Sequence, residues 1–213
     1  MQLSAVILAG GESRRMGRDK AWLNLDGEPL IVRAVRTVRR LAVDQLFISG
    51  RTDADYATLQ CPILHDLEPG FGPLGGIERA LHACGSPLLL VLAVDLPHMT
   101  TEFLTKLIVR ADVLTGAVPT RDGSLEPLAA IYPKRCHEIA FRFIAQSRHS
   151  VCDFADDCLK ERAVRTLRVA KRDAACFANW NSPVDATPNR YQLVAHSRAS
   201  RRQAAVCDTR HLI

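Results

Sequence analysis

The 213-residue sequence predicts an α/β fold with a mainly parallel central sheet flanked by helices. Residues 88–94, LLLVLAV, form a continuous apolar run, which is typical of a strand buried on both faces of a sheet. Residues 3–8 form a second, shorter run of the same kind. Other strand-sized runs alternate with helix-sized segments, and this alternation is typical of a parallel sheet.

Each element is predicted from local signals. In residues 29–41, apolar side chains recur at helical spacing and arginines occupy the opposite, solvated face. Asp26-Gly27 and Asp122-Gly123 are turn signals, and the second predicts a hairpin that adds an antiparallel strand. Helices are predicted at residues 29–41, 77–84, 101–111, 134–146 and 151–159. Strands are predicted at residues 3–8, 21–25, 46–49, 62–64, 88–94, 116–119, 128–132 and 163–169.

The stretch after the first strand is rich in glycine and cations. Gly10 and Gly11 end the strand, and cations that include Arg15 and Lys20 follow. Glycine lets backbone N–H groups approach phosphate oxygens closely, and arginine and lysine neutralise the phosphate charge. We therefore expect this loop to bind a nucleotide triphosphate. A glycine-rich turn with solvated cations is the alternative interpretation.

Two common phosphate-binding motifs do not match this loop. The P-loop requires a second glycine five residues after the first, but Met16 stands five residues after Gly11. The dinucleotide fingerprint requires glycine at the position of Glu12. The loop therefore belongs to neither class.

Two further stretches point to a ligand. Residues 68–76, EPGFGPLGG, contain four glycines and two prolines, which predicts a shaped loop before a helix, near a ligand. Asp95 follows the buried strand 88–94, at the strand end where open α/β sheets bind their ligands. We interpret Asp95 as a Mg²⁺ ligand, because Mg²⁺ favours one or two carboxylates with phosphate oxygens and water. The alternative is a helix cap, a role for which Thr100 and Thr101 are available.

The segment LAGGESRRMGRDK, residues 8–20, resembles the signature loop of the nucleotidyltransferases that make molybdenum cofactor dinucleotides. Its glycine pair resembles the guanylyl branch, whereas the cytidylyl branch usually has Ala-Ala-Gly there. GPLGG at 72–76, EPLAA at 126–130 and NWNSP at 179–183 resemble the second nucleotide-side loop, the acceptor-side segment and the terminal pterin-contacting segment of that family. The resemblance covers about residues 1–190 and implies one domain with a Rossmann-like nucleotidyltransferase fold.

The resemblance implies transfer of GMP from GTP to the terminal phosphate of molybdenum-loaded molybdopterin, with release of pyrophosphate and Mg²⁺ as cofactor. It implies that Arg15, Lys20 and Asp95 are catalytic and that Asp95 holds the metal. The residues implied to bind GTP are Leu8, Ala9, Gly10, Lys20, Ser49, Asp66, Gly72, Gly76 and Asp95. Ser49 departs from the family, which often has asparagine there.

Asn179 and Asn181 are implied to bind the pterin. Amides suit a pterin because the edge of its ring offers both donors and acceptors. The asparagines alternate with Ala178 and Trp180, and on a strand this spacing would place both amides on one face.

Three other functions are kept as alternatives. The nearest is a cytidylyl- or sugar-1-phosphate nucleotidyltransferase on the same scaffold, because a fold does not determine the substrate. The second is a non-catalytic nucleotide sensor. The third is a nucleic-acid binder that acts through the arginine-rich carboxyl-terminal segment, which we rank last.

The distribution of charge and the spacing of the cysteines bear on the partners and metal sites to expect. The formal net charge is +5, but residues 189–213 carry five arginines and one aspartate, so about +1 remains for residues 1–188. We expect residues 191–213 to be a basic, loosely ordered tail and expect no nucleic-acid partner. The seven cysteines include no C-x-x-C pair, and helical packing explains the His149, Cys152 and Cys158 cluster better than a zinc site does.

We expect a cytoplasmic protein with reduced thiols, no signal peptide and no membrane segment, because no apolar run approaches the length of a membrane span. We also expect a monomer that makes transient contacts with molybdenum insertion proteins and acceptor molybdoenzymes.

Overall fold

A computed structural model describes residues 2–10, 20–50, 56–65 and 70–179 of the chain. The helices are α1 Leu30–Arg39, α2 Gly72–Ala83, α3 Thr101–Arg110, α4 Cys136–Ala145 and α5 Val151–Lys160. The strands are β1 Leu3–Leu8, β2 Asn24–Leu25, β3 Glu28–Pro29, β4 Gln45–Ser49, β5 Ile63–Leu64, β6 Leu88–Ala93, β7 Gly116–Arg121, β8 Ser124–Leu125, β9 Ala129–Pro133 and β10 Val164–Arg168. Arg15, Asp66, Asn181 and the expected tail 191–213 lie outside the described residues.

The main sheet has the strand order β10-β7-β9-β6-β1-β4-β5, with β8 paired to β7. β1 lies between β4 and β6 and pairs in parallel with both. β5 extends this parallel group beyond β4, and β10 pairs in parallel with β7. β9 runs antiparallel to both β6 and β7, and β8 is antiparallel to β7. The predicted mainly parallel α/β fold is therefore confirmed, as is the hairpin at Asp122-Gly123.

Helices cover both faces of this sheet, and β1 shows how its sequence permits this. Ala5 and Ile7 contribute to the core shared with α1 and α3, whereas Val6 and Leu8 contribute to the core shared with α2, α4 and α5. Successive side chains of a strand point to opposite faces, so a strand covered on both sides needs residues that can be buried at every position, and in β1 the one polar residue, Ser4, donates a hydrogen bond to Ser86. All six residues of β1 and all six of β6 are buried.

The prediction of a loop over residues 68–76 is wrong in its second half, because α2 begins at Gly72. Pro73 lies in the first turn, where its missing N–H would have had no partner within the helix. Gly75 and Gly76 are buried within the helix. Glycine-rich composition favoured a loop, but burial of this segment against the sheet favours a helix, and the tertiary contact decides the outcome.

The predicted strand at residues 21–25 is also shorter than expected. A 3₁₀ helix spans Lys20–Trp22, and the strand begins only at Asn24. The turn that follows is as predicted, because Asp26 and Gly27 have φ values of 53° and 80° and join β2 to β3 in an antiparallel hairpin.

The segment that leads to Asn179 does not pair with the sheet over its described part. A 3₁₀ helix spans Lys171–Phe177, and the chain leaves it through Ala178 and Asn179 without pairing to the sheet. The condition under which Asn179 and Asn181 would share one face of a strand is therefore not met at residues 178–179. Phe177 is buried because it packs edge-on against Phe103 of α3, with ring centroids 5.0 Å apart, and not because it faces inward from a strand.

Candidate active site

The carboxyl ends of the parallel strands β1, β4 and β6 meet at one edge of the sheet. β1 ends at Leu8 and continues into Ala9 and Gly10, β4 ends at Ser49, and β6 leads into Asp95. The chain passes from β1 to β4 on one side and later returns to β6 on the other. This reversal of strand order marks the place where open α/β sheets bind their ligands. The structure thus brings together five residues that were expected to bind the nucleotide.

The backbone after β1 is held by β4. The N–H groups of Ala9 and Gly10 both donate to the Ser49 carbonyl oxygen, at 2.7 and 3.1 Å. A Cβ built on Gly10 would meet Gly50 Cα at 3.9 Å as its nearest contact among the described residues. Packing of the described chain therefore does not require glycine at position 10. The open space there would let a ligand approach the backbone closely.

Gly72 and Gly76 have different structural reasons to be glycine. Gly72 opens α2 with φ of 55°, a left-handed conformation that favours glycine. Gly76 lies one turn further along, where a Cβ would stand 2.3 Å from Ser49 Oγ and 2.9 Å from Leu8 Cδ2. The absence of a side chain at Gly76 therefore lets α2 lie directly on the ends of β1 and β4. Ser49, which is 6% exposed, lies beneath this helix.

A cation and a carboxylate face each other across the ends of β1 and β6. Lys20 Nζ lies 3.4 Å from Asp95 Oδ2, and the two side chains are 25% and 33% exposed. Asp95 does not cap α3, because Thr100 Oγ1 accepts the hydrogen bond from the Phe103 N–H at the start of that helix. The alternative interpretation of Asp95 as a helix cap is therefore excluded. Two of the three expected catalytic residues lie in contact, while Arg15 lies outside the described residues.

The donor set at Asp95 suits one kind of metal site. Within residues 2–10, 20–50, 56–65 and 70–179, no group of three or more His, Cys, Asp or Glu side chains could hold a metal ion. Mg²⁺ does not need such a cage, because it is commonly held by one or two carboxylates together with substrate phosphates and water. The partly exposed carboxylate of Asp95 at a strand end fits a Mg²⁺ ion brought with a nucleotide.

The expected acceptor-side residues lie at the same edge, further along the sheet. β7 runs in the same direction as β6, because β9 is antiparallel to both, so Arg121 at the end of β7 lies at the carboxyl edge. Arg121 Nε donates to Glu126 Oε1 at 2.9 Å, and its guanidinium carbon stands 5.9 Å from the centre of the Phe177 ring. Asn179, which is exposed, follows Phe177 by two residues.

The structure also adds residues that the sequence did not indicate for this edge. His149, in the turn between α4 and α5, packs its ring on Phe71 at the start of α2, with centroids 4.7 Å apart. Tyr56 is 1% exposed and lies under Gly50, where a Cβ would stand 2.4 Å from Tyr56 Cε2. Each contact joins residues on separate elements, so no local sequence signal could have indicated it.

Cys136 of α4 and Cys158 of α5 are buried, whereas Cys152 of α5 is exposed. A hydrogen bond with the Cys136 thiol and burial together raise the pKa of Cys158 far above the ordinary thiol value. Burial also raises the pKa of Cys152. A thiol with a raised pKa is a poor nucleophile and a poor metal ligand at neutral pH.

Comparison with known proteins identifies the scaffold. Residues 5–158 match the model of the MobA-like NTP transferase domain. The chain belongs to the MobA-like NTP transferase family. The predicted resemblance is confirmed.

The chain is similar in sequence to individual curated relatives over most of their length. The chain is 36% identical over 186 residues to a probable molybdenum cofactor guanylyltransferase of Opitutus terrae, covering 86% of this chain and 92% of the relative. It is 33% identical over 183 residues to a molybdenum cofactor guanylyltransferase of Pseudomonas putida, covering 84% of this chain and 93% of the relative.

A solved structure shows the same fold. The molybdopterin-guanine dinucleotide biosynthesis protein A of Archaeoglobus fulgidus superimposes with a TM-score of 0.67 at 24% identity, covering 93% of this chain and 99% of that one. At this identity the likeness establishes the MobA-like fold alone. Within the part of the chain that the structure describes, no helix is both long enough and apolar enough to cross a bilayer.

Proposed function

We propose that this MobA-like protein transfers GMP from GTP to the terminal phosphate of molybdopterin, in its molybdenum-loaded form, and releases pyrophosphate. The observation that carries the proposal is the Lys20–Asp95 pair, which joins a cation of the family's signature loop to a carboxylate at the end of β6. The names of relatives at 33–36% identity support guanylyl rather than another nucleotidyl transfer.

The nucleotide would lie along the carboxyl ends of β1 and β4. Leu8, Ala9 and Gly10 would contact it, and the backbone of Ala9 and Gly10 is hydrogen-bonded to Ser49. Gly72 and Gly76 would keep the start of α2 close to these strand ends. The remaining nucleotide contacts, those of Ser49 and Asp66, belong to the proposal as expectations from the family resemblance.

The chemistry is attack of one phosphate on another. An oxygen of the acceptor's terminal phosphate forms a bond to the α-phosphorus of GTP, and the bond from that phosphorus to the bridging oxygen of the β-phosphate breaks. Pyrophosphate leaves with the electron pair. Both reactants are anions, so catalysis depends on alignment and on positive charge placed where negative charge accumulates. Lys20 and Arg15 would supply that charge, and no histidine or cysteine nucleophile is needed.

Asp95 would hold Mg²⁺ that arrives with the nucleotide, and the ion would supply charge neutralisation on the phosphates. Lys20 lies beside the same carboxylate, so the two cations would share it when the metal is bound. This arrangement favours binding of the fully charged triphosphate over binding of the nucleoside.

The pterin would be bound further along the same edge, by Asn179 and Asn181. Asn179 is exposed and follows Phe177, which Arg121 contacts, by two residues, and this supports an acceptor site open to solvent. We also propose that residues 1–190 act as one domain followed by a basic tail, and that the protein is a cytoplasmic monomer. It would make transient contacts with molybdenum insertion proteins and with acceptor molybdoenzymes, and it would hand its product on directly. The six cysteines of the described chain are free thiols, which supports a reducing compartment.

The first test compares thermal stabilisation by GTP, CTP, UTP and ATP, each with and without Mg²⁺, since a ligand that binds only the native state raises the melting temperature. We expect GTP with Mg²⁺ to stabilise most. Turnover is then measured as dinucleotide and pyrophosphate formed from GTP and molybdopterin. Preference for CTP would move the protein to the cytidylyl branch, and nucleotide binding without turnover would favour the sensor.

A further inference from the structure

Arg121 occupies an unusual place at the carboxyl edge of the sheet. It is the last residue of β7, and its side chain is 40% exposed. It contacts two segments that come from different parts of the chain. One is the loop before β9, through the hydrogen bond from Arg121 Nε to Glu126 Oε1 at 2.9 Å. The other is the 3₁₀ helix Lys171–Phe177, through the Phe177 ring at 5.9 Å.

The loop before β9 is held firmly by the core. The buried Tyr132 hydroxyl donates to the Pro127 carbonyl oxygen at 3.0 Å, and the Ala93 N–H donates to the Leu128 carbonyl oxygen at 2.8 Å. The Glu126 N–H donates to the Pro119 carbonyl oxygen at 2.9 Å. These hydrogen bonds join this loop, which we place on the acceptor side, to β6, β7 and β9.

The 3₁₀ helix Lys171–Phe177 is held on α3 at its two ends. Lys106 Nζ lies 2.7 Å from both carboxylate oxygens of Asp173, and Phe103 packs edge-on against Phe177. These contacts attach the helix to α3, but they do not relate it to the acceptor-side loop. Among the described residues, Arg121 makes the charged contact that does so.

We infer that Arg121 is a positioning residue for the acceptor, because it sets where Asn179 emerges relative to the Glu126–Leu128 loop. A planar guanidinium can hold a carboxylate at its edge while its face lies on an aromatic ring, which lysine cannot do. Arg121 thus joins the two sides between which the pterin would bind. The inference rests on the proposed function, since it concerns the acceptor of that reaction.

The test uses the full-length protein with Arg121→Ala and Arg121→Lys. Arg142→Ala is the matched control, because Arg142 is also an exposed arginine paired with a glutamate, Glu161, but it lies on α4. Each variant is assayed for the KM of GTP, the KM of molybdopterin and the thermal stabilisation by GTP. Hydrogen exchange of peptides that cover residues 171–182 gives a readout that does not depend on activity.

We expect Arg121→Ala to raise the molybdopterin KM about tenfold, equivalent to ~1.4 kcal/mol, while the GTP KM and the stabilisation by GTP stay within about twofold of wild type. Exchange in residues 171–182 should become faster. Arg121→Lys should show nearly the same rise in molybdopterin KM and nearly the same faster exchange as Arg121→Ala. Arg142→Ala should change neither the molybdopterin KM nor the exchange.

Two results would overturn the inference. One is an unchanged molybdopterin KM with unchanged exchange in Arg121→Ala. The other is an equal rise of both KM values, which would mean a general structural role. Failure of the proposed function is separate from both, because it would appear as absent turnover in the wild-type protein, and the exchange experiment would still report whether Arg121 holds the segment.

Discussion

Lys20 Nζ lies 3.4 Å from Asp95 Oδ2, although 75 residues separate them in the chain. The contact joins the end of the glycine- and cation-rich loop to the end of the central strand β6. Both side chains keep a quarter to a third of their surface exposed. Partial exposure leaves the pair accessible to a ligand, whereas a fully buried ion pair would be sealed off and costly to desolvate.

Asp95→Ala should abolish turnover and leave the fold intact. The carboxylate is one-third exposed and makes no capping hydrogen bond, so its loss removes charge from the site without opening the core. We expect a fall in kcat of at least about 100-fold, as for loss of a group that stabilises transition-state charge. Asp156→Ala, an exposed aspartate on α5, is the control and should retain wild-type activity. A folded and active Asp95→Ala protein would refute the assignment.

Gly76→Ala should destabilise the protein. The new Cβ would stand 2.3 Å from Ser49 Oγ and 3.0 Å from Ser49 Cβ, so α2 must move away from the strand ends. Overpacking of this kind costs about 1–3 kcal/mol, measured by urea unfolding. The double variant Gly76→Ala with Ser49→Ala should recover part of the loss, because it removes the nearest atom. Equal stability of Gly76→Ala and wild type would show that α2 shifts freely.

Gly10→Ala should weaken GTP binding and leave the stability of the protein nearly unchanged. A Cβ at Gly10 meets nothing closer than 3.9 Å among the described residues. The free energy of unfolding should therefore change by about 0.5 kcal/mol or less, as for an ordinary surface position. We expect GTP binding, measured by calorimetry, to weaken about tenfold, because the methyl group occupies space that the ligand needs. Unchanged affinity would place the nucleotide elsewhere along the edge.

Asp157 should contribute stability that disappears in acid. A hydrogen bond from Lys160 at 2.8 Å, together with the charges of Lys160 and Arg148, lowers the pKa of Asp157. Its contribution is therefore present above the ordinary aspartate pKa of about 3.9 and is lost as the pH falls through the lowered value.

This contribution is measured by comparing Asp157→Asn with wild type. We expect a loss of about 1 kcal/mol or less at pH 7, typical of a partly exposed ion pair, that shrinks toward zero as the pH falls through the lowered pKa of Asp157. Asp156→Asn on the same helix is the matched control. A difference that persists unchanged in acid would mean that Asp157 acts through packing and not through charge.

Much of the fold could be predicted from local sequence because its signals are strong and short-range. The apolar runs of β1 and β6 are explained by burial on both faces, and the Asp26-Gly27 turn follows from residues that tolerate positive φ. Thr100 and Ser150 both cap helices, a role that hydroxyl side chains commonly take just before a helix. Each of these signals acts within a few residues, so no knowledge of distant contacts was needed.

The failed prediction at residues 72–76 has a physical cause. Glycines at 72–76 favour a loop locally, but packing on Ser49 and Leu8 makes them the start of a helix. A contact between distant segments thus outweighs a local preference of only a few tenths to about 1 kcal/mol per residue.

By itself, the sequence determined the α/β class, the family and the chemical types at the site, because apolar periodicity and the signature loop are local properties. Only the tertiary structure decided that Lys20 contacts Asp95, that Gly76 lies on Ser49 and that Arg121 joins Glu126 to Phe177. Such contacts depend on strand order and on how closely each helix approaches the sheet. Those quantities follow from packing of the whole chain, so no local stretch of sequence contains them.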